Sequence, residues 1–108
     1  MGVDIAWRML QGAPFNKWEE AVGEDPKIEK EFDGDLNWFL QEGLDLSRIS
    51  PFYDADESYC IYGIYLEGGE GSIAVDLEQL NKNAKEAYAQ LLEKYNIETE
   101  TIISQHVW

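Results

Sequence analysis

Two periods alternate along this chain, and each apolar run can be assigned to one of them. Val3, Ile5, Trp7 and Met9 alternate with Asp4, Ala6 and Arg8, the period-two signature of a half-buried strand over about 3–9. Gly12, Ala13 and Pro14 break it, and Pro14 suits the first turn of a helix whose apolar positions Phe15, Trp18 and Val22 recur at helical spacing up to Gly23. Asp25-Pro26 repeats the start signal, and Ile28, Phe32, Leu36, Phe39 and Leu40 follow at spacings of three and four. Asp33-Gly34-Asp35 interrupts that stripe, which predicts either two short helices, about 26–32 and 35–43, or one kinked helix.

Residues 44–57 carry Leu, Ile, Phe and Tyr without a period and include Pro51, so they read as an ordered loop. Tyr59–Leu66, YCIYGIYL, is apolar on both faces of an extended strand, which predicts a central strand over about 58–66. The EGGEG run at 67–71 reads as a turn, with Ile73 and Val75 forming the second strand of a hairpin over 72–75. Asp76 followed by Gln79 is a capping-box variant opening a helix over 76–95, striped by Leu77, Leu80, Ala84, Tyr88, Leu91, Leu92 and Tyr95. Asn96 suits the left-handed residue that ends a helix, and Ile97, Thr99, Thr101, Ile103 and Val107 then alternate along a strand over about 97–107. The expected fold is α+β, one domain over 1–108. A small mixed or antiparallel sheet of about four strands has helix 76–95 on one face, N-terminal aromatic residues on the other, and short acidic helices near the N-terminus.

Composition changes this picture mainly through charge. Fourteen aromatic residues among 108 supply an aromatic-rich core. The single cysteine excludes an intramolecular disulfide, and the first residues hold neither a basic stretch nor an apolar run of signal-peptide length, so a cytoplasmic location is expected. No apolar run approaches the roughly 18 residues of a membrane helix. The net charge is −14, and residues 19–57 carry thirteen acidic side chains against three basic ones. Such a balance opposes compaction through self-repulsion, and it disfavours nucleic acid and anionic membranes as direct partners, since both reward Lys and Arg.

Candidate chemistry is sparse. Cys60 and His106 are the one thiol and imidazole in the chain, but a nucleophilic thiol needs a base beside it and an accessible setting, whereas Cys60 lies in an apolar strand. Asp33, Asp35 and Asn37 match the first three ligand positions of a calcium loop, yet Trp38 and Leu44 stand where its glycine and closing glutamate belong. The run from Asp54 to Ser58 fails in the same way, with Tyr59 and Tyr65 at those places. EGGEG lacks the following helix and the cation of a phosphate cradle. Neither a cofactor nor a metal is expected, and no catalytic set emerges.

What remains is the acidic surface. Glu20, Glu24, Glu31, Asp33 and Asp35 recur near multiples of a helical turn, and Asp54, Asp56 and Glu57 open a stretch to Glu78 that has no basic residue. Carboxylates so arranged suit a Lys- and Arg-lined groove that otherwise holds nucleic acid, and Trp38, Phe52 and Tyr53 are aromatic anchors for such a contact. In size and charge, though by no shared motif, the chain is similar to the small acidic inhibitors that bacteriophages encode against host nucleases and CRISPR complexes. That likeness implies a stoichiometric inhibitor, a DNA mimic of the anti-CRISPR or anti-restriction kind. It would be a monomer or homodimer docking Glu20, Glu24, Glu31, Asp33, Asp35, Trp38, Asp54, Asp56 and Glu57 on a basic nuclease or CRISPR effector in the host cytoplasm. The same electrostatics fit an immunity protein against a basic nuclease toxin. A small enzyme using Cys60 is the alternative of another class.

Overall fold

The computed structural model describes residues 5–50 and 60–107. Four strands, β1 (Ile5–Pro14), β2 (Ser47–Ile49), β3 (Ile61–Glu70) and β4 (Glu100–Val107), form one antiparallel sheet in the order β2-β3-β1-β4. Helices α1 (Phe15–Val22), α2 (Pro26–Glu31) and α3 (Leu36–Trp38) follow β1, a π-helical turn (Phe39–Gly43) continues α3, and α4 (Leu77–Tyr95) joins β3 to β4. The class is the α+β expected, and residues 61–66 of the YCIYGIYL run fall in a central strand. Its partners are not the expected ones: β3 lies between β1 and β2.

Two elements differ from the periodicity. The hairpin strand at 72–75 does not form, because β3 runs on through Glu67, Gly68, Gly69 and Glu70 and pairs these residues with Met9, Arg8, Trp7 and Ala6 of β1. The glycines serve the strand rather than a turn. A Cβ at Gly69 would stand 3.2 Å from the Trp7 indole, and one at Gly68 would stand 2.6 Å from the Tyr65 hydroxyl, so both positions are cleared for aromatic side chains. The chain turns only at Gly71, where φ is +79°. Second, the stretch read as a loop contains β2, three residues long and paired with Gly63, Tyr62 and Ile61; so short a strand shows no period. The start of the first predicted strand, the 58–59 end of the central one and residues 51–57 lie outside the described residues.

One face of the sheet is covered by helices. Trp18 of α1 and Leu91 of α4 are fully buried there against Ala13, Cys60 and Tyr62. The Trp18 indole N–H donates to the Tyr62 carbonyl at 2.9 Å, while the Tyr62 hydroxyl donates to Asn37 Oδ1 on α3. Gln11, buried on the same face, is satisfied from β4 and the residue before it: its amide donates to Thr99 Oγ1 at 2.9 Å and its carbonyl accepts from Thr101 Oγ1 at 2.7 Å. Buried polar groups without such partners would each cost about 1–3 kcal/mol.

N-terminal aromatic residues were expected on the opposite face, but Trp18 and Phe15 sit with α4 instead. The second face is filled by the sheet itself. Leu10, Ile49 and Ile61 are buried there with Ile102 packed on them, and Ser104 of β4 donates to the carbonyl of Ser50, just beyond β2, at 3.1 Å. In a flat sheet these edges would stand three strand spacings apart, about 14 Å, so the sheet curls until its edges meet over a small apolar interior. A Gly12–Gly63 pair lies opposite at the bend, where a Cβ on either would come within 2.4 Å of a backbone carbonyl oxygen.

Helix caps follow the sequence closely. Asp76 accepts from Glu78 N and Gln79 N, and Asn96 is left-handed with φ of 53°. The Gln79 side chain bonds Asn83 rather than returning to the cap, so only half of the capping box is made. Within α4 the buried positions are Ala87 and Leu91, whereas Leu77 and Leu92 are exposed. The Asp33–Gly34 pair, both left-handed at φ of 52° and 77°, separates α2 from α3, which decides for two helices over one kinked helix.

The close strand approach predicts that Gly12→Ala lowers unfolding free energy in urea by about 3 kcal/mol or more, because backbone must move. Gly71→Ala, with open space around its Cβ position, should cost only the roughly 1–2 kcal/mol of left-handed strain. Equal costs at the two positions would contradict the packing described.

Candidate functional site

Between α2 and α3 the chain builds an acidic turn with an aromatic tip. Asp25 caps α2 by accepting from Lys27 N at 3.0 Å, and Pro26 takes the first helical position. The helix is short because only Ile28 is buried along it. The Asp33–Gly34 turn then brings Gly34 N to the Ile28 carbonyl at 2.8 Å and Asp35 N to that of Phe32 at 2.8 Å. Asp35 caps α3 through Trp38 N at 3.1 Å. Asp35 therefore has a local structural task that the charge pattern did not reveal.

Trp38 is 44% exposed. Its ring stands edge-on to Phe32, with centroids 5.0 Å apart at 82°, and Phe32 in turn meets the buried Phe39 at 5.3 Å and 72°. An exposed indole held by an aromatic stack is presented with little freedom, which lowers the entropy lost on contact. Glu31, Asp33 and Asp35 around it are exposed, and the Glu29 carboxylate lies beside Gly34. Phe32 and Phe39 are supporting residues that helical spacing marked only as core.

The predicted acidic set is divided by the fold. Glu31, Asp33, Asp35 and Trp38 share the α2–α3 turn, and Glu24 is exposed just beyond the end of α1. Glu20, on α1, lines a separate cleft. Asp54, Asp56 and Glu57, with the anchors Phe52 and Tyr53, lie outside the described residues.

That cleft, about 790 Å³, opens between α1, the C-terminal half of α4 and the start of β4. Its charged walls are Lys17, Glu20, Glu98 and Glu100; Tyr88 and Tyr95 supply aromatic surface, and Gly12, Ile61 and Ile102 belong to the lining nearest the curled sheet. Trp18 packs edge-on against Tyr95 at 5.6 Å and 67°, which fixes the phenol ring. Burial pushes the Tyr95 phenol up from its ordinary 10.0, so it is neutral at physiological pH and the cleft's charge comes from three carboxylates and one lysine. Helical periodicity had assigned both tyrosines to the core stripe. Glu98 and Glu100, two apart in an extended segment, share a side of the chain, a signal that was available.

The strand register sets Cys60 and His106 at opposite ends of the sheet. Ile61, next to Cys60, pairs with Pro14 at one end of β1, whereas His106 pairs with Ala6 near the other. Eight residues of strand, about 26 Å, separate those levels. Cys60 is fully buried, and its sulfur accepts from Arg48 Nε at 3.3 Å and Nη2 at 3.1 Å. Among the described residues no group of three or more His, Cys, Asp or Glu is placed to hold a metal ion, and no helix is long and apolar enough to cross a membrane.

Set against protein-family models, curated proteins and solved structures, the chain matches none of them.

Burial of Cys60 predicts that alkylation of the native protein at neutral pH is at least about 100-fold slower than in urea, since access requires opening of the fold. A native rate equal to the unfolded rate would show an open thiol and return the enzyme alternative to consideration.

Proposed function

We propose that this protein is a binding module that docks its acidic α2–α3 turn, anchored by Trp38, on a basic surface of a partner protein, acting as a stoichiometric inhibitor of nucleic-acid binding at that surface. The observation that carries this reading is the exposed Trp38, held edge-on by Phe32 and bordered by the exposed carboxylates of Glu31, Asp33 and Asp35. Aromatic anchors supply much of the energy of protein contacts, while surrounding charges steer encounter and choose partners of opposite sign. A chain of net charge −14 is repelled by nucleic acid and attracted to proteins that bind it, in the manner of a DNA mimic. A nuclease or CRISPR effector of a phage's host is the partner class this suits, with binding in the host cytoplasm.

Support for binding over catalysis comes from the closed setting of Cys60 and its separation from His106. Inhibition then needs no chemistry: carboxylates occupying a Lys- and Arg-lined channel compete directly with phosphates, and the complex weakens as salt screens the charges.

The test is capture from host lysate at about 0.05 M and about 0.5 M salt, followed by binding measurements on the captured partner. The expected partner is a basic nucleic-acid-binding protein released by duplex DNA. Glu24→Lys with Glu31→Lys should weaken the complex at least tenfold, and Trp38→Ala about tenfold or more. Asp35 is left intact in these variants because it caps α3. Unchanged affinity in both variants would overturn the proposal.

A further inference from the structure

The cleft beside α1 has the chemistry of a receptor for a cation on an apolar stem. Its wall carboxylates, Glu20, Glu98 and Glu100, outnumber its one cation, Lys17, and Tyr88 and Tyr95 lie among them. Aromatic rings and carboxylates together select a guanidinium: the planar cation stacks on the ring and pairs with the carboxylate through two parallel N–H donors. The floor, by contrast, is apolar. Ile61 and Ile102 belong to the interior of the curled sheet, and their side chains give methylene groups an apolar surface to lie on.

The fold fixes this geometry from three sides. Trp18 is fully buried beneath α1 and braces Tyr95. The Gln11–Thr99 hydrogen bond ties the segment carrying Glu98 and Glu100 to β1. Gly12 faces Glu100 across the β1–β4 ladder, so carboxylate and apolar floor occupy adjacent positions. A volume of about 790 Å³ exceeds one side chain and lies in the range of sites that hold ligands or short peptide segments, roughly 300–1,000 Å³.

We propose that this cleft receives an arginine side chain, with its flanking peptide, from the basic partner. Glu20 connects the two regions, because it lies at the cleft while Glu19 and Glu24 extend the acidic surface along and beyond α1. The inference rests on the proposed docking function and gives it a second contact of defined chemistry: the α2–α3 turn meets the partner's surface, and the cleft holds one protruding arginine.

The probe is a blocked Gly-Arg-Gly tripeptide titrated into the isotope-labelled full chain at low salt, followed by amide shifts in NMR. Saturable shifts should concentrate at Tyr88, Tyr95, Ile97 and Ile102, with a dissociation constant of about 1 mM. The citrulline tripeptide, equal in shape but neutral, should bind at least tenfold more weakly, and Glu98→Gln with Glu100→Gln should reduce arginine binding about three- to tenfold. Equal binding of the citrulline peptide, or shifts spread over all exposed carboxylates, would overturn the proposal. Agmatine binding tenfold more tightly than the peptide would assign the cleft to a free small molecule and overturn the partner source. Glu31→Lys and Trp38→Ala should leave this titration unchanged, so failure of the docking surface and failure of the cleft are read separately.

Discussion

Tyr62 is the residue on which the arrangement of the other elements depends. It sits on a central strand, with Ala13 of β1 on one side and Arg48 of β2 on the other, and its chemical groups fasten two helices, α1 and α3. Its carbonyl accepts from Trp18 of α1, its hydroxyl donates to Asn37 of α3, and its ring lies 6.1 Å from Phe15. Because residue and partners are buried or half-buried together, each bond is formed at low dielectric, where an unmade one is expensive. The entry angle of α1, and through it the positions of Tyr95 and the cleft, follow from that one side chain and its backbone.

The curl of the sheet is the second constraint, and it has a local cause. The facing glycines at 12 and 63 allow strands to approach where any side chain would strike a carbonyl, and the bulge between Met9 and Leu10, where Leu66 is the additional residue, turns the ladder further. Curling buries Leu10 and Ile49 with no second layer of helices among the described residues. All four helices are thus free to lie elsewhere, and the α2–α3 turn can project its charges into solvent. A flat sheet of the same strands would have required cover on both faces and would have drawn those helices into the core.

The parts of the fold that were legible in the sequence are those decided by neighbours in the chain. Helix α4, its Asp76 and Asn96 ends, the break at Asp33–Gly34 and the centrality of residues 61–66 all depend on residues within a turn or two. The errors came where partners were distant. Gly68 and Gly69 carry the composition of a turn, but their role is set by Trp7 and Tyr65, and the Trp7 contact lies more than sixty residues away. Three-residue β2 exists only because β3 offers an edge. The same reason divides the acidic residues: Glu31, Asp33 and Asp35 are neighbours in the chain and share one turn, whereas local charge pattern could not tell that Glu20, Glu98 and Glu100 line one cleft.

The acidity itself divides into two kinds once the contacts are known. Asp25, Asp35 and Asp76 each cap a helix, where a carboxylate satisfies backbone donors and meets the positive end of the peptide dipoles. These positions need no function beyond folding. The carboxylates of Glu19, Glu20, Glu24 and Glu31, by contrast, make no hydrogen bond or ion pair among the described residues, and all four residues are exposed. Solubility requires only a modest excess of charge, and self-repulsion works against the compact state as that excess grows. In the free chain such carboxylates are held by water and counterions alone, and they are the ones whose mutual repulsion a cationic surface would relieve.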